Sequence, residues 1–496
     1  SAFFLGGSQT GNGIFYYYDP APGKALGGAS NTAAGATTFN SAYSNLRPQM
    51  RIHFTNPTGT DISVDRIISP NLPVNGGSNS SVGVEISNLG ATNISSFSVG
   101  YQVNNQPPIT QTVSNNIAPG NRYQHTFSSS VAIPTSGSLL LKTWSNRPNL
   151  LSPDANPSND TLETIICPAL SAGTYTVGGA TAVFSTLQQA IDRINCGGIS
   201  GNVTLSINPG TYNGNFTLNA FPGSQIHQLT LTSTTQRNQD VILSNGGNGS
   251  VLTVFDVKNL YIDQLSFQKS NTPALLHEYT LFLQRCEDVT VTNCSFLSSP
   301  QGFSTYNRNV GLTSTKRINI VQSKIKHGYF GLTVEGLPGA INENIAFLDG
   351  TVEETYFSCM DVKSTKGLRI EGNNIKNPYT LYSFSTAIQI SESEDLSILR
   401  NRISGNFGGT LISLTNIDGG NLGNLVANNF IQGVFQNTAS PRILYFYPQT
   451  TGSGVRDELQ FAHNTMDVRL GQTGLTNTTG LFYVLASGNV VSSFVF

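Results

Sequence analysis

Acidic side chains able to work on a sugar chain fall in two clusters, Asp349, Glu353, Glu354 and Asp361, then Glu392, Glu394 and Asp395. Arg369 and Arg400 stand beside them. Paired carboxylates can serve as acid and base across a glycosidic bond, and an arginine near calcium-binding carboxylates can take a proton in an elimination. The chemistry these residue types permit is polysaccharide cleavage, with Asp361, Glu392, Arg369 and Arg400 to carry it. Other catalytic templates are missing: there is no Gly-x-Ser-x-Gly elbow, no His-Glu-x-x-His and no phosphate-cradling Gly-x-x-x-x-Gly-Lys. The six His are scattered, and only Lys326-His327-Gly328 resembles part of a sugar-cleaving loop.

A second chemistry is cation binding. Asp154, Asn156, Asn159 and Asp160 place oxygen ligands at near-alternating positions of one loop, as calcium requires. The competing reading is a hairpin loop of Asx-turns. Calcium is thus the single cofactor the sequence admits. The next tripeptide, Asp160-Thr161-Leu162, resembles the Asp-Ser/Thr-aliphatic O-glycosylation motif of Bacteroidota and marks Thr161 as its acceptor.

The elements that must hold these residues are β-structure. Charged residues make up 11% of the 496, while Gly, Asn, Ser and Thr crowd every segment, a composition suited to an extracellular β-protein. A net charge of −2 without any Lys/Arg block excludes an electrostatic footprint for nucleic acid or an anionic membrane. No apolar run is long enough to span a bilayer as a helix.

Residues 1–57 read as the C-terminal part of a β-sandwich domain. From 61 to 167 seven short alternating runs follow one another: Ile62–Ser69, Val82–Asn88, Phe97–Asn104, Ile109–Ser114, Tyr123–Ser129, Leu139–Trp144 and Thr161–Cys167. Breakers such as Asn75-Gly76-Gly77 and Pro119-Gly120 separate them, as in an Ig-like sandwich. The run Val82-Gly83-Val84-Glu85-Ile86-Ser87-Asn88-Leu89-Gly90, with Val99-Gly100-Tyr101-Gln102-Val103-Asn104, resembles the bacterial cell-adhesion-related family called CARDB.

Residues 168–496 form the third region. Its one helix is expected over about 185–195, opened by a Ser185/Gln188 capping box, with Leu187, Ala190, Ile191 and Ile194 on one face and Gly197-Gly198 at its end. Such a helix covers the open end of a solenoid. Gly173-Thr174-Tyr175-Thr176-Val177-Gly178 through Val203-Thr204-Leu205 to Pro209-Gly210-Thr211-Tyr212 resembles the opening of right-handed β-helix regions in secreted Bacteroidota surface proteins. Cys167 ends the last sandwich strand and Cys196 ends the helix, so the two are expected to form a disulfide pinning one module to the next.

Downstream an apolar residue recurs with partners two and seven places on: Leu260/Ile262/Phe267, Val289/Val291/Phe296, Ile318/Ile320/Ile325, Ile345/Phe347/Val352, Leu368/Ile370/Ile375 and Leu396/Ile398/Ile403. Starts lie 29, 29, 27, 23 and 28 residues apart by subtraction, one three-strand coil per repeat. Turn residues Gln264, Asn293 and Gln322, and one place later Asn373, Asn401 and Asn464, are expected to stack as amide ladders. Two residues before each start stand Lys258, Glu287, Lys316, Glu343, Lys366 and Glu394, alternating in sign, which predicts a structural charge ladder between coils.

The sequence therefore predicts an all-β chain: sandwich modules, then a right-handed parallel β-helix capped by one short α-helix and continuing beyond 496. The function expected first is non-catalytic: a secreted or surface-attached rod in an adhesin, filament or secretion-system cargo. Its expected partners are surface or secretion components, other surface proteins or polysaccharide. The alternative is a β-helical polysaccharide lyase or glycoside hydrolase using the four residues named first.

Overall fold

The computed structural model describes residues 13–18, 25–30, 42–43, 59–150, 154–269, 278–299, 308–377, 386–407, 409–418, 423–435, 442–448, 459–470 and 482–484. The expected continuation past 496 lies outside them. The first unit, Ser1–Gly59, contributes an antiparallel sheet of Gly13–Tyr18, Ala25–Ser30 and Ala42–Tyr43.

The second unit opens with the sandwich. Ile62–Ser69, Asn79–Asn88 and Arg122–Ala132 form one antiparallel sheet, and Phe97–Val103, Ile109–Val113, Leu139–Asn146 and Thr161–Ile166 form the other. Alternation drives Val82, Val84 and Ile86 of one sheet, and Phe97, Val99, Leu139 and Leu141 of the other, into one buried core. Gly100 has a packing reason: a Cβ there would stand 2.4 Å from the Trp144 ring of the neighbouring strand.

Cys167 and Cys196 form the expected disulfide, with Cα atoms 5.6 Å apart. Around it Ala169 N donates to Val74 O at 2.7 Å, Ser200 Oγ to Asn75 Oδ1 at 2.6 Å, and Arg193 Nη1 to Gly137 O at 3.0 Å. Helix α1 (Leu187–Gly197) starts two residues later than expected. Its N-cap is Thr186, whose Oγ1 accepts from Gln189 N, while Gln189 Oε1 reaches back to Ser185 N. The Thr186/Gln189 pair wins because it leaves Leu187, Ala190, Ile191 and Ile194 facing the solenoid core.

From Gly173 onward, with the helix inserted after the first strand, the chain forms a β-solenoid of three parallel sheets. Among the described residues these hold eleven, ten and ten strands. The repeat maps onto two of them. Leu260, Val289, Ile318, Ile345 and Leu368 align in the first sheet, as do Ile262, Val291, Ile320, Phe347 and Ile370. Phe267, Phe296, Ile325, Val352, Ile375 and Ile403 align in the second. The third sheet stacks Leu281, Val310, Leu332, Met360 and Ile388 inward, and all three columns merge into one buried core.

Each corner has its own chemistry. Gln264, Asn293 and Gln322 take left-handed backbone with φ of 54°, 52° and 47°, so they turn the chain. The amide ladder is the next column, Asn373, Asn401, Asn429 and Asn464: the Oδ1 of each of the last three accepts from both N and Nδ2 of the Asn before it, and Asn373 Oδ1 accepts from Gly350 N. Asn429 is a member the repeat pattern did not single out.

Candidate functional site

The six alternating charges fall in one register column of the first sheet, Lys258 beside Glu287, Lys316, Glu343, Lys366 and Glu394 in turn. They close as pairs: Lys258 to Glu287 at 2.5 Å, Lys316 to Glu343 at 2.8 Å and Lys366 to Glu394 at 2.7 Å. Glu287 takes a second partner in Arg317, which also clamps Asp288. The rung after Glu394 is Asp418.

Of the four residues expected to share a groove, only Arg369 and Arg400 come together, and on an acid outside the expected set. Arg369 is on the outward side of the first sheet and Arg400 at the corner after it, and both engage the buried carboxylate of Glu371. Glu392 is a left-handed corner residue, φ 49°, accepting from Ser364 Oγ and paired with Lys363 at 3.4 Å. It lines a cavity of about 360 Å³ with Ile341, Thr365, Ser393, Glu394 and Asp418. Asp361 is on the third sheet. The reason is geometric: each corner rotates the chain to another face, so residues close in sequence diverge. Of the other acids, Glu353 is buried and held by Lys324 at 2.6 Å and Lys376 at 3.3 Å, and Glu354 lies 3.4 Å from His327.

What surrounds Asp361 was not predicted. Alternate residues of the third sheet point outward in two columns: Phe282, Gly311, Thr333, Asp361 and Gln389, then, two places on, Gln284, Thr313, Glu335 and Lys363; three places before the first of these stand Tyr279, Arg308, Phe330 and Ser358, at the starts of their strands. Arg308 sits at the centre. Its Nη1 donates to Tyr279 Oη at 3.2 Å, its guanidinium lies 5.2 Å from the centroid of Phe330, and Glu335 is 3.9 Å away. Tyr279 stacks on Phe282 at 4.6 Å. Gly311 permits this, since a Cβ there would stand 2.2 Å from the Tyr279 ring.

Two features of this face are unbalanced. Burial pushes the Asp361 carboxyl above its ordinary range, Arg308 and Lys363 oppose the shift, and Glu335 adds to it. Beside it, Arg308 Nε and Thr333 Oγ1 are buried without a hydrogen-bond partner. Groups like these are what a ligand satisfies.

In the cation candidate, Asp154 Oδ2 accepts from Ile62 N and Oδ1 from Asn156 N, both at 2.9 Å. Asn156 is exposed and its Oδ1 accepts from Ser158 Oγ at 2.6 Å. Asp160 is buried. Thr161 is exposed at the start of its strand.

Fold and face define a β-sandwich joined to a parallel β-solenoid that presents a buried-acid, arginine-centred and aromatic outer face. Residues 59–150 match the CARDB family, a match confined to the sandwich. No curated protein matches the chain. Similar solved structures include an alginate lyase from Paenibacillus sp. str. FPU-7 (13% identity, TM-score 0.38, 64% of this chain and 99% of that one). A polygalacturonase from Erwinia carotovora ssp. carotovora gives 14%, 0.33, 66% and 97% in the same order. Pectin methylesterase PemA from Erwinia chrysanthemi gives 11%, 0.30, 64% and 94%.

Proposed function

We propose that this chain acts on an extracellular polysaccharide along the outward face of the third sheet, in the manner of a glycoside hydrolase. The observation that supports this reading is Asp361, a carboxyl held above its usual range by burial beside the unpartnered Arg308 Nε and Thr333 Oγ1. A carboxyl kept protonated can donate to a leaving oxygen. Glu335, next to Arg308, is the second carboxylate. It lies two residues beyond Thr333, the registered neighbour of Asp361. That diagonal sets the two acids on one face of the sheet, about 7–8 Å apart along it, so that both carboxyls can reach one glycosidic bond. Phe282, half-buried where Tyr279 and Phe330 are buried, offers an apolar ring to a sugar.

The test is incubation of the purified chain with pectin, alginate and neutral glucans, reading new reducing ends and unsaturated products. Turnover lost in Asp361→Asn supports the reading. Absence of turnover on every substrate removes catalysis and leaves the second reading, a stiff surface rod, which the charge column and the Asn ladder favour by fixing coil register. Both readings place the protein outside the cell, attached to its surface or secreted. The disulfide and the scarcity of charge support that compartment.

A further inference from the structure

We propose that Lys269 and Asn245 become joined by an amide bond inside the solenoid, a self-catalysed cross-link between successive coils with Glu278 as its proton carrier. Asn245 and Lys269 are registered neighbours on parallel strands of the second sheet, two places after Leu243 and Phe267, a registered pair of the solenoid core. Alternation therefore turns both side chains toward the interior. There Lys269 is 1% exposed, Glu278 4% and Asn245 7%, a depth that an amine and a carboxylate seldom reach. All three side chains meet on one residue, Gly249. Lys269 Nζ and Asn245 Nδ2 donate to its carbonyl at 2.8 and 2.9 Å, and its N–H donates to Glu278 Oε1 at 2.7 Å. Glu278 Oε2 lies 3.0 Å from Lys269 Nζ. Gly249 permits this approach: its φ is 89°, and a Cβ there would stand 2.3 Å from Asn215 Nδ2.

The amine and the amide nitrogen it would displace are thus held on one oxygen, in the buried surroundings that favour a neutral amine nucleophile. Gly247 N donates to Asn245 Oδ1 at 2.8 Å, so it is placed to hold the negative charge that gathers on that oxygen when Cγ is attacked. Glu278 takes one proton from the Lys269 ammonium, and the freed lone pair forms the Nζ–Cγ bond. Glu278 then passes that proton to Asn245 Nδ2, the Cγ–Nδ2 bond breaks, and ammonia departs. A second proton follows from Nζ through Glu278 and leaves with the ammonia as ammonium. Glu278 ends as the carboxylate it began as, charge is conserved, and no metal, oxidant or co-reactant is consumed. The product is a secondary amide in place of a buried ion pair, which also removes two charges from the interior.

The test is the intact mass of the purified full chain, unfolded and with its disulfide reduced. The expected mass is one ammonia below that of the sequence, and digestion should yield a branched peptide joining Asn245 to Lys269. A succinimide at Asn245-Gly246 removes the same mass from a linear peptide, so the branch is the signal that counts. Glu278→Gln, close in shape, and Lys269→Met should each keep the ammonia, with folding followed by circular dichroism. If Asn245 and Lys269 serve only to staple the 246–250 turn, the unmodified chain keeps its full mass. That result, or a loss of ammonia that persists in Lys269→Met, overturns the proposal.

Discussion

Asn401 Oδ1 accepts from both the backbone N of Asn373 at 2.9 Å and its Nδ2 at 3.0 Å, while Asn401 Nδ2 donates to Ile370 O at 2.8 Å. Each amide thus completes the coil before it and is completed by the coil after it. Removing one leaves buried groups unsatisfied on both sides. Asn401→Ala is expected to cost about 3 kcal/mol, measured by urea unfolding, with Asn373→Ala similar. A loss under about 0.5 kcal/mol would mean water fills the ladder.

The Cys167–Cys196 bond closes a loop of sequence separation 29. In the chain-entropy picture it contributes about 3–4 kcal/mol. Replacing both with Ser should lower stability by that order. It should also raise proteolysis between the last sandwich strand and α1 while the solenoid stays intact. Equal protease resistance would show that the Ala169–Val74 and Ser200–Asn75 hydrogen bonds suffice.

The charge column acts between exposed side chains, so its contribution is small and salt-sensitive. Glu343→Lys sets like charges beside Lys316 and Lys366. The expected outcome is a modest destabilisation at low salt that fades above about 0.5 M NaCl. A loss independent of salt would assign Glu343 a packing role instead.

Asp160 makes folding stability pH-dependent. Its folded pKa of about 7 lies above the ordinary carboxylate value, so the folded chain binds the proton more tightly than the unfolded one. That contribution is greatest at low pH and lost as pH rises from about 4 through about 7. Asp61 and Asp154 are the charged groups facing it. Urea midpoints should fall over this window, and Asp160→Asn should flatten the fall. A midpoint that rises over the same window would rule out the raised pKa.

Much of this was legible because a solenoid repeats its physics. The offsets of two and seven marked two of the three sheets, since the turn between them has constant length, as from Ile262 to Phe267 and Ile320 to Ile325. The third sheet was invisible, because the stretch before it varies: Ser266–Lys269 precedes Tyr279, whereas Lys324–Lys326 precedes Phe330 almost directly. The candidate site was lost with it. Asp361 was named for its charge, but its neighbours Arg308, Thr333 and Glu335 come from two earlier coils, at separations no local motif reports. Arg369 and Arg400 looked like partners by proximity and meet on Glu371 instead.

The last prediction concerns how Asp361 is tuned. Burial is the largest cause of its raised pKa, and Tyr279 and Phe330 are among the rings around the neighbouring arginine. A general acid must be protonated to work, so turnover should decline as pH rises through the Asp361 pKa. Phe330→Ala opens the face to water. It should shift that basic limb to lower pH, because a better solvated carboxyl ionises more easily. Asp361→Asn should lower turnover by about 10²–10⁴-fold with sugar binding kept, whereas Arg308→Met should weaken binding of an acidic polysaccharide more than a neutral one. The pH–rate profiles of the three variants, read beside glycan binding by calorimetry, separate these effects. A basic limb that stays in place in Phe330→Ala, or turnover undiminished in Asp361→Asn, would take the proton-donor role away from Asp361.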